Sequence, residues 1–186
     1  MPVRTARSLA IFMGLMTIAW SVLGLHAYPL VAAIGAVLGA AIALGAVVTA
    51  RRGAPAPAPP SPGTGEAKAR QVFRIAVALE TVAILAAIVV LNKTGHPEFI
   101  MPSIALAVAL HFFVFLVSQP RFALHVVAGT VGTVGAVTAI VLMATSIVGA
   151  AAGHAIAGGA LALCTLAYGL TFLRVVMSNT TGRGRN

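Results

Sequence analysis

Long apolar runs, separated by short polar or proline-containing breaks, fill most of this chain. An α-helix rises about 1.5 Å per residue and the hydrocarbon core of a bilayer is about 30 Å thick, so one span needs roughly 20 apolar residues. Six segments meet this requirement, at about 8–27, 30–50, 72–91, 99–118, 123–148 and 153–176. The pattern predicts an all-α fold, a polytopic transmembrane helical bundle with six spans.

The breaks between the spans differ in how clearly they are marked. Pro29 follows the first break and suits the first turn of a helix. The polar segment 92–98 and the Gln119-Pro120-Arg121 sequence end the third and fourth spans. The run from Phe122 to Met177 would make a helix of about 84 Å if it were continuous. We therefore expect a turn near 149–153, where only glycines indicate it.

The first apolar run also has features of a cleavable signal peptide, because Arg4 and Arg7 precede it. It is too long for the apolar region of a signal peptide, it lacks a convincing small-x-small cleavage site, and a second span follows at once. A retained helix is the favoured interpretation.

The segment 51–71 is rich in Pro and Gly and shows no hydrophobic periodicity. It predicts a cytoplasmic linker, disordered or in polyproline II conformation. A plain spacer is favoured over a PxxP ligand for a partner domain. The predicted organisation is then an N-terminal transmembrane hairpin (1–50), this linker (51–71), a four-span bundle (72–177) and a basic cytoplasmic tail (178–186).

Composition supports lipid as the solvent. The chain is 60% hydrophobic and only 8% charged, with a mean hydropathy of +1.03. A soluble domain usually carries about a quarter charged residues. The net charge of +9 would suggest nucleic acid as a partner of a soluble protein, but basic loops beside an anionic membrane face explain it here. The predicted partner is the lipid bilayer, with no nucleic acid.

The basic residues predict an orientation in the cell membrane. With six spans and a cytoplasmic N-terminus, every Lys and Arg except Lys93 falls on the cytoplasmic side. The positive-inside rule describes this asymmetry. A five-span arrangement would move the Arg-rich tail outside. Both termini are therefore expected in the cytoplasm.

Small residues in the spans indicate close helix packing. Little hydrophobic force draws helices together in lipid, so backbones must approach through small side chains. The candidate packing residues are Gly35, Gly39, Gly129, Gly132 and Gly135. Packing within the chain is favoured over a homo-oligomer interface, which stays open.

Two ionisable residues lie at membrane depth. An ionisable group in hydrocarbon is costly and often functional. Glu80 lies about 12 Å into the third span and His111 about 10 Å into the fourth, both measured from the cytoplasmic side. The two helices are antiparallel neighbours, so we expect the two side chains to face each other. They form a candidate intramembrane polar or proton site, with a structural polar pair as the alternative.

The remaining candidate ligands do not indicate a metal or a cofactor. Cys164 is the only cysteine and lies in an apolar run. His26, His125 and His154 lie near helix ends, as interfacial histidines commonly do. No His-x-x-x-His or Glu-x-x-His pairing indicates a metal site, and no cofactor is expected.

The segment Leu110-His111-Phe112-Phe113-Val114-Phe115, in a fourth helix that ends at Gln119-Pro120-Arg121-Phe122, resembles an apolar-His-Phe motif. This motif occurs in the fourth helix of certain small bacterial multi-pass membrane proteins without an assigned activity. In them a short turn and a glycine-containing fifth helix follow, as in residues 123–135 here. The resemblance implies an architecture of about six helices and a location in the cytoplasmic membrane, but no function.

Three classes of function remain open. The chain lacks Asp, a Gly-x-Ser-x-Gly elbow and a His-Glu-x-x-His helix, so an enzyme would depend on Glu80 and His111 alone as base and acid. A small-solute or proton-linked transporter, or a channel-like protein, is favoured, with an unknown substrate. The alternative is a structural or accessory membrane subunit.

Overall fold

Six α-helices and one short 3-10 helix make up the computed structural model, which describes residues 3–51, 64–114 and 123–181. All six helices are long and apolar enough to cross a membrane, and the described ranges contain no strand. The predicted all-helical fold with six spans is confirmed. The α-helices are α1 (Val3–Gly24), α2 (Pro29–Arg51), α3 (Thr64–Lys93), α4 (Ile100–Val114), α5 (Ala123–Ala144) and α6 (Ala150–Thr181), and the 3-10 helix η1 (Pro97–Phe99) precedes α4.

The contacts divide the chain into two compact units. Unit 1 combines residues 1–59 with residues 162–186, and unit 2 comprises residues 60–161. The boundary falls inside α6, so its C-terminal half belongs with α1 and α2.

Unit 1 is built around a close crossing of α1 and α2. A Cβ added to Gly39 would lie 2.5 Å from the carbonyl oxygen of Gly14, and one added to Gly14 would lie 2.6 Å from the carbonyl oxygen of Gly39. The two backbones therefore touch without intervening side chains. The hydroxyls of Thr17 and Thr165, both buried, lie 3.0 Å apart and join α1 to α6.

Unit 2 packs α3 and α5 against α4. The buried positions of α4 are Pro102, Ala105, Ala109 and Phe112, a spacing of three and four residues that marks one helix face. The small side chain of Ala109 admits α5, where it contacts Gly132.

Helix α5 ends earlier than the sequence predicts. It stops at Ala144 rather than near 148, and the turn occupies 145–149 rather than 149–153. Ser146 has a φ of 58°. The amides of Ser146 and Ile147 donate to the carbonyls of Met143 and Leu142, which is the hydrogen-bond pattern of a Schellman motif. The left-handed position of such a turn usually carries glycine, but Ser146 occupies it here. The sequence therefore did not indicate a turn at 145–149.

The end of α3 has the same geometry with the usual residue. Gly95 has a φ of 77°, and the amides of Gly95 and His96 donate to the carbonyls of Asn92 and Leu91. Pro97 then begins η1. This break is at the position that the polar segment 92–98 predicts.

The predicted linker 51–71 is too long at its C-terminal end. Helix α3 begins at Thr64, so residues 64–71 are helical. Glu, Ala, Lys, Arg and Gln, which fill 66–71, all have high helix propensity, whereas every Pro and Gly of the segment lies at 53–65. The rest of the predicted linker, 52–63, lies outside the described residues. Helix α6 likewise continues to Thr181, into the predicted tail.

Candidate functional site

Helix α3 presents Glu80 toward α4. Among its described side chains, Ala76 is buried while Glu80 and Ile84 are partly buried, and the residues between them are exposed. A spacing of four residues keeps these side chains on one face of the helix. Glu80 therefore points into unit 2, although most of α3 is exposed.

Helix α4 supplies the partner of Glu80. Nδ1 of His111 lies 2.7 Å from Oε2 of Glu80, and the exposed fractions of the two side chains are 12% and 21%. The separation is that of an ion pair. The contact therefore joins a carboxylate oxygen and an imidazole nitrogen of neighbouring helices. The structure thus brings together the two residues whose matched depth the sequence predicts.

The pair can exist in states that differ by one proton. In one of these states the pair has no net charge, either as an ionised carboxylate beside a protonated imidazole or as a carboxylic acid beside a neutral imidazole. Adding one further proton gives the pair a positive charge, and removing one gives a negative charge. Either net charge is costly in an apolar environment.

A second histidine of unit 2 is more deeply buried than the sequence indicates. His125, in the first turn of α5, is 6% exposed, whereas its place near a helix end suggests an interfacial residue. Helix periodicity alone could not reveal this burial, because it depends on how α5 is rotated against α4.

The contacts between α4 and α5 fix the depth of His125. Gly129 of α5 lies against the ring of Phe113 of α4. His111 lies two residues to one side of this contact and His125 four residues to the other, because the helices are antiparallel. The two histidines are then separated by about six residues, or about 9 Å, along the helix axis.

The opposite end of unit 2 has its own polar contacts. Nδ1 of His96 lies 3.2 Å from a carboxylate oxygen of Glu98, and Nε2 of His154 lies 2.8 Å from the backbone carbonyl oxygen of Glu98. These contacts join the turn after α3 to the first residues of α6. Between them and the Glu80–His111 pair, residues 81–92, 100–110, 131–144 and 155–161 contain no titratable side chain.

Each candidate packing glycine lies at a contact between helices of its own unit. Gly35 lies against Ser21, Gly39 against Gly14, and Gly129 against Phe113. Gly132 contacts Ala109 and Leu161, and Gly135 contacts Ala160. Gly14 was not among the candidates, since no second glycine follows it at a spacing of four in α1.

Within the described ranges, no group of three or more His, Cys, Asp or Glu side chains could hold a metal ion. Cys164 is buried, in the part of α6 that belongs to unit 1.

Comparison with known proteins finds no matching family model, no similar curated protein and no similar solved structure.

Proposed function

We propose that this multi-pass membrane protein is a proton-linked transporter in which Glu80 and His111 form the proton-binding site. The observation that carries the proposal is the 2.7 Å contact between two ionisable side chains inside apolar helices. Ionisable residues at membrane depth are rare and commonly mark proton or ion pathways.

The chemistry of the pair supports proton binding more than solute recognition. A carboxylate and an imidazole can each take up and release a proton. A structural contact between helices could be made by hydroxyls or amides, which carry no charge and insert at lower cost. The Thr17–Thr165 hydrogen bond of unit 1 is such a contact, and it makes the use of charged groups in unit 2 notable.

The proposed orientation follows from charge. In this orientation both termini face the cytoplasm, as does the end of unit 2 at which α5 begins. The turns 94–96 and 145–149 face the opposite side. All basic residues except Lys93 then lie on the cytoplasmic side of the membrane. The proposed location is the cell membrane.

Purified protein in liposomes tests the proposal. An imposed membrane potential should drive protons inward, and a pH-sensitive dye inside the vesicles reports their entry. We expect proton entry with the wild-type protein and its loss with Glu80→Gln, which keeps the shape of the side chain and removes its charge.

The matched control is Glu98→Gln, which makes the same change at the polar end of unit 2, where the carboxylate contacts His96. We expect this variant to retain the wild-type rate. Equal rates in wild-type, Glu80→Gln and empty vesicles would refute proton transport through this site.

The second candidate is a structural or accessory subunit. The observation that favours it is that, within the described part of α3, only Ala76 is fully buried, so the Glu80–His111 contact is a large part of what fixes α3 against α4. A pair that stabilises the fold but supports no proton entry would favour this function.

A further inference from the structure

We propose that His125 is a proton-transfer residue that links the Glu80–His111 pair to the α5 N-terminal end of unit 2, so that protons move between the pair and that side of the membrane by way of His125. This inference rests on the proposed function and names a further residue and a direction for it. The geometry of three helices carries it: Glu80 on α3, His111 on α4 and His125 on α5.

His125 has the position that a transfer residue needs. It is 6% exposed and lies in the first turn of α5, between the depth of the pair and the end of the helix. The packing of Gly129 on Phe113 places it about 9 Å from His111 along the helix axis. The proposed transfer between the two imidazoles passes through water, which hydrogen-bonds almost as well as a direct partner.

The other direction offers no comparable group. In unit 2, the residues between the pair and the turns at 94–96 and 145–149 include no titratable side chain, as the composition of 81–92, 100–110, 131–144 and 155–161 shows. The first ones reached are Lys93, His96, Glu98 and His154, at the far end. The titratable groups of the unit's interior are therefore arranged on one side of the pair.

Other charged groups near the depth of His125 do not substitute for it. Arg74 of α3 lies six residues from Glu80 in the same direction, but its side chain is exposed and a guanidinium keeps its proton at all physiological pH values. The proposed transfer moves one proton. It adds to the imidazole of His125 to form an imidazolium, passes through water to His111 or Glu80, and leaves His125 neutral again.

The test uses the full chain in liposomes and compares rates of proton entry. We expect His125→Gln to lower the Glu80-dependent rate by roughly tenfold or more, the scale on which a positioned acid or base accelerates proton transfer. His154→Gln, the same change in the half-buried histidine of α6 at the far end of unit 2, should leave the rate unchanged. Circular dichroism and gel filtration establish that each variant is folded.

Chemical rescue separates proton transfer from a structural role. In His125→Ala the removed ring leaves space, and added imidazole should restore a large part of the lost rate at unchanged pH, because it can carry the proton in place of the ring. Imidazole should not restore the rate of Glu80→Gln. If His125→Gln does not fold, the rescue experiment on His125→Ala and a second variant, His125→Asn, still decide the question.

The outcomes distinguish this inference from the function on which it rests. A Glu80-dependent rate that is unchanged in His125→Gln, or that is lost in His125→Ala without any rescue by imidazole, overturns the role of His125 and leaves the proposed function intact. Absence of any Glu80-dependent proton entry overturns both.

Discussion

The Glu80–His111 contact predicts an energetic coupling that can be measured apart from any activity. Replacing Glu80 with Ala leaves His111 in an apolar bundle without its carboxylate, and replacing His111 leaves the carboxylate without its imidazole. Replacing both removes the two polar groups together. The double variant should therefore be more stable than the sum of the two single losses implies.

The structure sets the size of the coupling. Interhelical polar contacts in membrane proteins contribute about 0.6 kcal/mol on average and up to about 1.7 kcal/mol. The Glu80–His111 contact is short, at 2.7 Å, and its side chains are only 21% and 12% exposed. We therefore expect a coupling of about 1–2 kcal/mol, at or near the upper end of that range.

The assay is a double-mutant cycle of Glu80→Ala and His111→Ala. Unfolding by SDS in mixed micelles, followed by circular dichroism, gives the free energy of unfolding of the four proteins. The chain offers a matched control in Glu98→Ala and His96→Ala, whose side chains lie 3.2 Å apart but are 38% and 61% exposed. Exposed pairs contribute little, so this second cycle should show no measurable coupling. A Glu80–His111 coupling below about 0.5 kcal/mol, the scatter of independent sites, would refute the reasoning.

Three further predictions follow from the packing, the turns and the charge distribution. Gly39→Ala should destabilise the protein by about 1–3 kcal/mol in the same unfolding assay, because the new Cβ would meet the backbone of Gly14 at 2.5 Å. The control is Gly149→Ala, which has no atom within 4 Å of its Cβ position and should change stability by less than about 0.5 kcal/mol. Gly95→Ala should cost about 1–2 kcal/mol because of its φ of 77°, and Ser146→Gly should instead stabilise the protein; a loss of stability in Ser146→Gly would contradict the assignment of strain to that turn. A reporter that is active only outside the cytoplasm should be inactive when it is fused after residue 186 and active when it is inserted in the turn 94–96, and the reverse pattern would overturn the proposed orientation.

The number and type of helices could be predicted from the sequence because apolar runs of span length leave no other fold in lipid. Boundaries were less predictable where the usual residues are missing. Ser146 occupies a left-handed position without being glycine, so the sequence placed the turn at the next glycines. The start of α3 at Thr64 depends on helix propensity rather than hydropathy, and a search for apolar runs overlooks it.

The candidate site could be predicted only in part. Depth follows from counting residues along a helix, which was enough to match Glu80 with His111. Rotation about the helix axis does not follow from counting, and it decides which side chains meet. The burial of His125 and the approach of Gly14 to Gly39 depend on that rotation. The sequence could therefore suggest the pair but not the third titratable group of the interior.

Infrared difference spectroscopy of the reconstituted protein tests the central claim, proton binding by Glu80 with His111, most directly. The chain has only three acidic side chains, Glu66, Glu80 and Glu98, so a carboxyl band that appears when the pH is lowered can be assigned by single Glu→Gln variants. The account predicts a carboxyl band that appears over the pH range in which the rate of proton entry changes. This band should disappear in Glu80→Gln and persist in Glu98→Gln. In His111→Gln it should appear at a different pH. A Glu80 carboxyl that keeps one protonation state throughout that range, with or without His111, would contradict it.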